Sequence, residues 1–133
     1  MNFMSIRVDN RTYSVRVVYN TFVRAWNLIE GPNAGDMLSG RHERDLVGTK
    51  YTYSMEIEPD PRYQTDYDAL ADVLSAPVPS HLITVPYGQG TLTYRAMIES
   101  GSDVYRGQLG GQRRWGGLTV TFKAIAVNRE ATA

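Results

Sequence analysis

Residues 44–57, RDLVGTKYTYSMEI, contain the stretch that decides the fold. From Tyr51 to Ile57 every second side chain is apolar or aromatic, and the side chains between them are polar. This period of two is typical of a strand that is buried on one face only. Pro59 follows the run and cannot donate a hydrogen bond to a neighbouring strand, so the strand is predicted to end there.

One helix is predicted, over residues 66–75. Its apolar stripe has the spacing i, i+3, i+4 and i+7, formed by Tyr67, Leu70, Ala71 and Leu74. Thr65 and Asp68 fit a capping box, and Asp66 suits the positive end of the helix dipole. Pro77 prevents the helix from continuing.

The strand pattern recurs along the chain, at residues 4–8, 12–18, 82–85, 91–98 and 118–127. Asp9 and Asn10 tolerate the left-handed conformations of a tight hairpin turn, so the first two strands are predicted to pair. The fold class predicted is mainly β, a small barrel or sandwich of about six to eight strands with one helix covering an opening or edge. The predicted core includes Tyr53, Leu70, Leu74, Leu92, Val120 and Phe122.

The 133 residues suit a single domain with its own core, and no linker or break in composition divides them. Two stretches, at about residues 30–43 and 101–117, are predicted to be flexible loops because they are rich in turn formers and lack periodicity. Residues 128–133 are predicted to form a frayed tail. Long loops tend to carry function or to become ordered on contact with a partner.

Composition and charge exclude several classes of function. The chain has no Cys, which excludes disulfides, thiol catalysis and thiolate metal sites. It carries 14 basic and 14 acidic residues, and a neutral chain is a poor general phosphate binder, so specific nucleic-acid binding is not expected. The N-terminus lacks the apolar run of a signal peptide, and no later stretch approaches a membrane span, so no membrane partner is expected.

Charge is nevertheless distributed unevenly along the chain. Acidic residues cluster around the predicted helix, and arginines dominate the C-terminal third. One interpretation is that these are ordinary solvated faces; the other is that two complementary surfaces meet between copies. The second gives a hypothetical interface formed by Arg113, Arg114, Trp115, Asp66, Asp68 and Asp72. For Trp115 an alternative is open, namely that it is a core residue that introduces the last strand.

The residues reveal no catalytic, metal or cofactor site. His42 and His81 are interpreted as loop and strand-start residues, because no His or Glu stands at a metal-ligand spacing from them. Asp66, Asp68 and Asp72 resemble a carboxylate ligand set, but the glycine and glutamate of a calcium loop are missing. Gly48-Thr49-Lys50 lacks the preceding glycine-rich run of a phosphate-binding loop, and the glycine-rich stretch 107–117 precedes a predicted strand rather than a helix. We therefore expect neither enzymatic activity nor a cofactor.

Six short motifs stand out along the chain, namely RDLVGT (44–49), the tyrosine-rich strand, YDAL (67–70), AP (76–77), PYGQ (86–89) and WGGLTV (115–120). Together they resemble a group of small uncharacterised proteins encoded among the virion structural genes of tailed phages and prophages. Strands interrupted by one mid-chain helix are also similar, more distantly, to the β-barrel of tail tube and baseplate-ring subunits.

This resemblance implies a structural subunit of the tail or baseplate that assembles with copies of itself into a ring or tube, beside neighbouring virion proteins. Its location would be the virion, and the host cytoplasm during assembly. The alternative within the same resemblance is a capsid decoration or host-surface-binding module. The family pattern carries no catalytic residues.

Overall fold

The computed structural model describes residues 2–31, 35–36, 42–43 and 46–130. The elements are β1 (Asn2–Val8), β2 (Arg11–Val17), β3 (Val23–Glu30), β4 (Gly35–Asp36), β5 (His42–Glu43), β6 (Leu46–Pro59), α1 (Gln64–Leu74), β7 (His81–Tyr87), β8 (Gly90–Met97), β9 (Gly101–Leu109), β10 (Gln112–Ala124) and β11 (Arg129–Glu130). The predicted loop at residues 30–43 lies largely outside the described residues; within it, β4 pairs with β5.

Six strands close into a barrel in the order β6, β2, β1, β7, β8 and β10, and β10 returns to pair with β6. Every pair around this barrel is antiparallel. The predicted fold class, mainly β with one short helix, is therefore confirmed, and the barrel is the form that it takes.

The barrel interior is filled by the alternating apolar residues of its strands. The four predicted inward positions of β6 are buried, and so are those of β10 from Leu118 to Ala124. The helix α1 adds Tyr67, Leu70 and Leu74, as its stripe predicted. Among the six predicted core residues only Leu92 differs, because it is half-buried and packs against the edge of the core.

The helix begins two residues earlier than predicted, at Gln64, and the predicted cap is wrong. The capping position is Tyr63, and no side chain caps the first turn. Thr65 is exposed inside the helix. Asp66 is engaged elsewhere, because it accepts a hydrogen bond of 3.0 Å from the backbone N–H of Ser14 on β2.

The N-terminal hairpin forms as predicted. Val8 pairs with Arg11, and the two turn residues Asp9 and Asn10 have φ values of 49° and 69°. Both values lie in the left-handed region that a two-residue hairpin turn requires. The strand then breaks after β2, at the left-handed Asn20, and resumes as β3 along the same neighbour, β6.

The prediction of a loop over residues 101–117 is wrong, since these residues form the hairpin of β9 with the first part of β10. Its glycines form the turn and a bulge: Gly110 and Gly111 join Leu109 to Gln112 with positive φ, and Gly107 with φ 98° lies at a shift in register. The predicted tail also differs, because Arg129 and Glu130 pair with β6 as β11; residues 131–133 lie outside the described residues.

Two β-ribbons project from the barrel in opposite directions. The β3–β6 ribbon consists of β3 with its partners on β6, and from the pair Trp26 and Tyr51 outward it extends beyond the last β6–β10 pair at Thr52 and Lys123. The β9–β10 ribbon consists of β9 with residues 112–117 of β10, beyond the first such pair at Ile57 and Leu118. Because β6 and β10 are antiparallel neighbours and each extends on its N-terminal side, the ribbons lie at opposite ends.

Candidate functional site

A groove lies between α1 and the β9–β10 ribbon, and we call it the terminal groove. Its volume is about 550 Å³. Asp68 and Asp72 line it from the helix, and Arg113 and Trp115 line it from the ribbon. The remaining lining includes apolar side chains of the barrel end, namely Leu74, Ile98, Leu118 and Val120. The groove therefore combines an apolar lining with charged groups and one large aromatic ring.

The structure brings four of the six predicted interface residues together at this groove. Asp68 and Asp72 share one helix face because they stand four residues apart. Arg113 and Trp115 share one face of β10, as residues two apart do in a strand. Trp115 remains 40% exposed and its ring contacts that of Tyr105 at 5.0 Å between centroids, so it lies outside the barrel core.

The other two predicted interface residues do not line the groove. Asp66 faces β2, where it also lies 3.9 Å from the Nη2 of Arg11. Arg114 alternates to the opposite face of β10 from its two neighbours. Within the described part of the chain its Nε is buried and has no hydrogen-bond partner.

The acidic and basic regions of the sequence do not form two separate surfaces. Asp68 and Asp72 share a groove with Arg113, and Glu58 beside the helix forms an ion pair with Arg106 of β9. Acidic and basic residues that are far apart in the sequence are therefore close together in space. The interface hypothesis from sequence assumed that the two regions form separate surfaces. That assumption does not hold, because the fold already brings the two regions together within one chain.

A partly buried hydrogen bond ties the helix to the ribbon beside the groove. The hydroxyl of Tyr67 donates to Oδ2 of Asp103 over 3.1 Å, and Tyr67 is fully buried. Burial, together with the Asp103 carboxylate, raises the pKa of Tyr67 far above its ordinary value, so the phenol stays protonated and remains a donor. The groove wall is thus held by a neutral phenol and a carboxylate.

The pair Gly116–Gly117 lets an ion pair lie flat against the start of the ribbon. Arg106 donates to both carboxylate oxygens of Glu58, over 2.5 Å and 2.6 Å. A Cβ on Gly116 would lie 2.5 Å from Glu58 Oε2 and 2.7 Å from Arg106 Nη1, and Gly117 has φ 67°. The sequence WGGL therefore leaves room for a bidentate contact, which is stronger than a single hydrogen bond.

We expect Gly116→Ala to lower the free energy of unfolding by about 1–3 kcal/mol, because the methyl group displaces this ion pair. Urea unfolding measures the change. Gly90→Ala is the matched control, since a Cβ there would meet only Tyr87 O at 3.8 Å. The penalty should shrink in an Arg106→Ala background; equal penalties in both backgrounds would mean that the ion pair is not what the methyl group displaces.

The inner face of the β3–β6 ribbon is aromatic and cationic, and we call it the ribbon face. Arg24, Trp26 and Leu28 lie directly opposite Tyr53, Tyr51 and Thr49, and opposite residues of an antiparallel pair share a face. Trp26 is 57% exposed, and Leu28 is also exposed. The guanidinium of Arg24 lies 5.9 Å from the Trp26 ring centroid and 5.4 Å from that of Tyr87. These separations are those of cation–π contacts.

The C-terminal segment adds a second cation to the ribbon face. Arg129 pairs with Thr49 on β6 and therefore lies beside Tyr51. The hydroxyls of Tyr51 and Tyr87 are 3.0 Å apart. The hydrogen bond with Tyr87 lowers the pKa of Tyr51, and the nearby Arg129 acts in the same direction while burial opposes both. Asn128 Oδ1 accepts a hydrogen bond of 2.7 Å from Tyr51 N–H, which fixes this segment in place.

His81, predicted to be a strand-start residue, begins β7 and is only 4% exposed. Its Nδ1 lies 2.6 Å from Oδ2 of Asp9 in the β1–β2 turn, and Asp9 Oδ1 accepts from the N–H of Leu82 over 2.9 Å. Burial opposes ionisation of Asp9, but these hydrogen bonds and the nearby Arg95 hold its pKa below the ordinary value of 3.8. The pair fastens the first hairpin to β7.

The Asp9 carboxylate gives the fold a predicted sensitivity to acid. The pKa of Asp9 is lower in the folded chain than in the unfolded chain. The carboxylate therefore contributes fully to the free energy of unfolding above pH 3.8, and this contribution is lost as the pH falls through the folded-state pKa. We expect Asp9→Asn to flatten the loss of stability below pH 3.8, and asparagine also tolerates the turn's positive φ. Urea melts from pH 6 to about 2.5 measure this, with Asp72→Asn as control. Parallel curves for native protein and Asp9→Asn would contradict it.

Sequence reasoning missed the ribbon face. No local pattern indicated that Arg24, Trp26 and Leu28 would share one face beside the barrel, with the guanidinium of Arg24 against the Tyr87 ring. No signal in the sequence marks this face, because β6 is seen to be longer than its pairing with β10 only in the folded chain. Within the described ranges, no group of three or more His, Cys, Asp or Glu side chains could hold a metal, and no helix is long and apolar enough to span a bilayer.

Comparisons with known proteins add no relative to this description. No protein-family model matches the chain, and a comparison with curated proteins finds no match.

Proposed function

We propose that the chain is a structural subunit of a tailed bacteriophage or phage-like particle, which assembles with copies of itself into a ring or tube of the tail or baseplate. The observation that carries the proposal is the pair of ribbons that leave the barrel at opposite ends. Both expose large apolar side chains, namely Val23, Trp26 and Leu28 on one and Val104, Tyr105, Leu109 and Trp115 on the other.

Open strand edges support self-association. Among the described residues, no strand pairs with the outer edge of β3 or with that of β9. An edge strand of this length presents a row of backbone groups that another chain can pair with, and monomeric proteins usually shield such edges. Exposed apolar side chains gathered on the same ribbons are a further mark of an interaction surface. Together these features suit a subunit whose surfaces are covered in an assembly.

The location of the two ribbons supports a ring or a tube. Contacts made by different surfaces at opposite ends are heterologous, so each added copy leaves one free surface of each kind. Such contacts close into a ring when the rotation between copies allows it and otherwise continue as a filament. The phage assignment itself rests on the sequence resemblance, to which the fold adds a mainly β barrel with a single helix.

Negative-stain imaging of the purified full chain, at increasing protein concentration, tests the proposal. Rings, stacked rings or tubes of uniform width support it. A particle that stays monomeric, or that stops at a compact dimer or trimer, contradicts it and favours the alternative of a capsid decoration or host-surface-binding module. Light scattering in line with gel filtration gives the mass of each species and separates ordered assembly from nonspecific aggregation.

A further inference from the structure

We propose that the terminal groove of one copy receives the ribbon face of the next copy. This inference rests on the proposed function and names the two surfaces that make the contact. The occupant is thus a second copy of this chain, presented through Arg24, Trp26, Leu28 and Arg129.

Charge complementarity is the first reason. Among the described residues, three carboxylates line the groove, those of Asp68, Asp72 and Asp103, together with one guanidinium, that of Arg113. The ribbon face carries the guanidinium groups of Arg24 and Arg129 beside neutral aromatic rings. Guanidinium groups bind carboxylates with two parallel hydrogen bonds, which adds geometric specificity to the attraction. Opposite surplus charge on the two surfaces favours their contact and disfavours contact of either surface with itself.

Apolar complementarity is the second reason. The exposed indole of Trp26 and the exposed side chain of Leu28 lack a covering layer within the described part of the chain. The groove offers an apolar lining, and its volume of about 550 Å³ lies within the range of sites that enclose large side chains or ligands. Tryptophan with arginine beside it is typical of interface hot spots, which bind best when a pocket removes them from water.

The positions of the two surfaces are the third reason. They lie at opposite ends of the barrel, so no copy can place its own ribbon face in its own groove. A contact between copies therefore has a direction, and every copy uses each surface once. In this contact, Arg113 and Trp115 of the groove lie at the interface with the ribbon face of the next copy.

A charge-exchange experiment with the full chain tests this pairing. The groove variant carries Asp68→Lys and Asp72→Lys, and the ribbon variant carries Arg24→Glu and Arg129→Glu. In the groove variant both surfaces are cationic, and in the ribbon variant both are acidic, so neither variant should associate with itself. In an equimolar mixture each reversed surface meets the reversed surface of the other variant, and association should return with alternating copies.

Sedimentation velocity measures the outcome. We expect at least about a tenfold weaker self-association for each variant alone, and recovery to within about threefold of the native protein in the mixture. The control is Arg7→Glu, at an exposed residue of β1, because it changes the charge by the same amount as each substitution in the two variants. Should a double variant fold poorly by circular dichroism, the single variants Asp72→Lys and Arg24→Glu, both at exposed positions, neutralise one surface each. Each should associate more weakly alone than the native protein does, and their mixture should form dimers through the two unchanged surfaces.

The outcomes separate this inference from the proposed function. If the native chain assembles and both variants alone assemble as it does, the pairing of groove with ribbon face is wrong while self-assembly stands. If both variants lose association and their mixture does not recover it, the two surfaces matter separately and do not contact each other, which also overturns the inference. A native chain that stays monomeric overturns the proposed function, and the inference with it.

Discussion

Replacing Phe122 with Ala is expected to lower the free energy of unfolding by about 3–5 kcal/mol, the largest effect on stability that we predict. Phe122 is 0% exposed and lies on β10, the strand that closes the barrel against β6. The substitution removes apolar area from the centre of the core and leaves a cavity there, and close-packed interiors relax only partly into such a space. The backbone carbonyl of Phe122 also accepts a hydrogen bond of 3.3 Å from the hydroxyl of Tyr94.

Urea unfolding followed by circular dichroism gives this change in free energy. Thr119→Ala on the same strand is the control, because Thr119 is exposed and points outward. It should change stability by less than about 0.5 kcal/mol. A loss below about 1 kcal/mol for Phe122→Ala would show that the inward face of β10 is not the face that holds the barrel together.

The second large effect concerns association. Removing either exposed tryptophan, by Trp26→Ala or Trp115→Ala, is expected to raise the dissociation constant of the assembly by about thirtyfold or more, the loss of a typical hot spot. Trp26 belongs to the ribbon face and Trp115 to the terminal groove. We therefore expect similar losses of affinity from substitutions at opposite ends of the molecule.

Tyr19→Ala removes an aromatic side chain that is 73% exposed and lies on neither surface, and it serves as the control. Melting temperatures should remain close to that of the native protein, because both tryptophans lie outside the core. Light scattering across a dilution series measures the dissociation constants. Loss of association for only one of the two tryptophan variants would contradict the pairing of these surfaces.

Period-two alternation predicted the barrel strands well, since burial on one face of a closed sheet imposes that period directly. Tyr53 and Phe122 are therefore placed correctly from sequence, and they are directly opposite each other in neighbouring strands. The 3.6-residue stripe of α1 succeeded for the same reason. Its start could not be predicted, because Asp66 bonds to Ser14, 52 residues away, and does not cap the helix.

The glycines of the stretch 101–117 were misinterpreted. A loop was predicted where Gly110 and Gly111 form a two-residue hairpin turn, since glycine marks both turns and irregular segments. Gly48 shows a different role, because a Cβ there would lie 2.2 Å from the backbone carbonyl oxygen of Arg129. That glycine admits the C-terminal strand β11 against β6, a contact between residues about 80 apart in the chain that local pattern does not reveal.

The candidate site was predicted in part. The uneven charge along the chain led to the prediction of Arg113, Trp115, Asp68 and Asp72 as interface residues, and the fold gathers them around one groove. Sequence position suggested that the acidic and basic members belonged to different surfaces, because chain distance was the only measure of separation. The ribbon face exists because β6 extends beyond the residues that pair with its barrel neighbours. That extension is a property of strand register and becomes visible only in the closed barrel.

Crosslinking between two differently marked copies tests whether the groove of one copy holds the ribbon face of the next. The chain has no Cys, so each introduced cysteine supplies the one thiol of its copy. One preparation carries Leu28→Cys on the ribbon face and the other carries Asp72→Cys in the terminal groove. When the two variants are mixed under assembling conditions, we expect a short bismaleimide to join them into dimers that contain one copy of each variant. Each variant alone should stay largely uncrosslinked. Dimers within either single preparation, or no mixed dimers under conditions where the chain assembles, would contradict contact between groove and ribbon face.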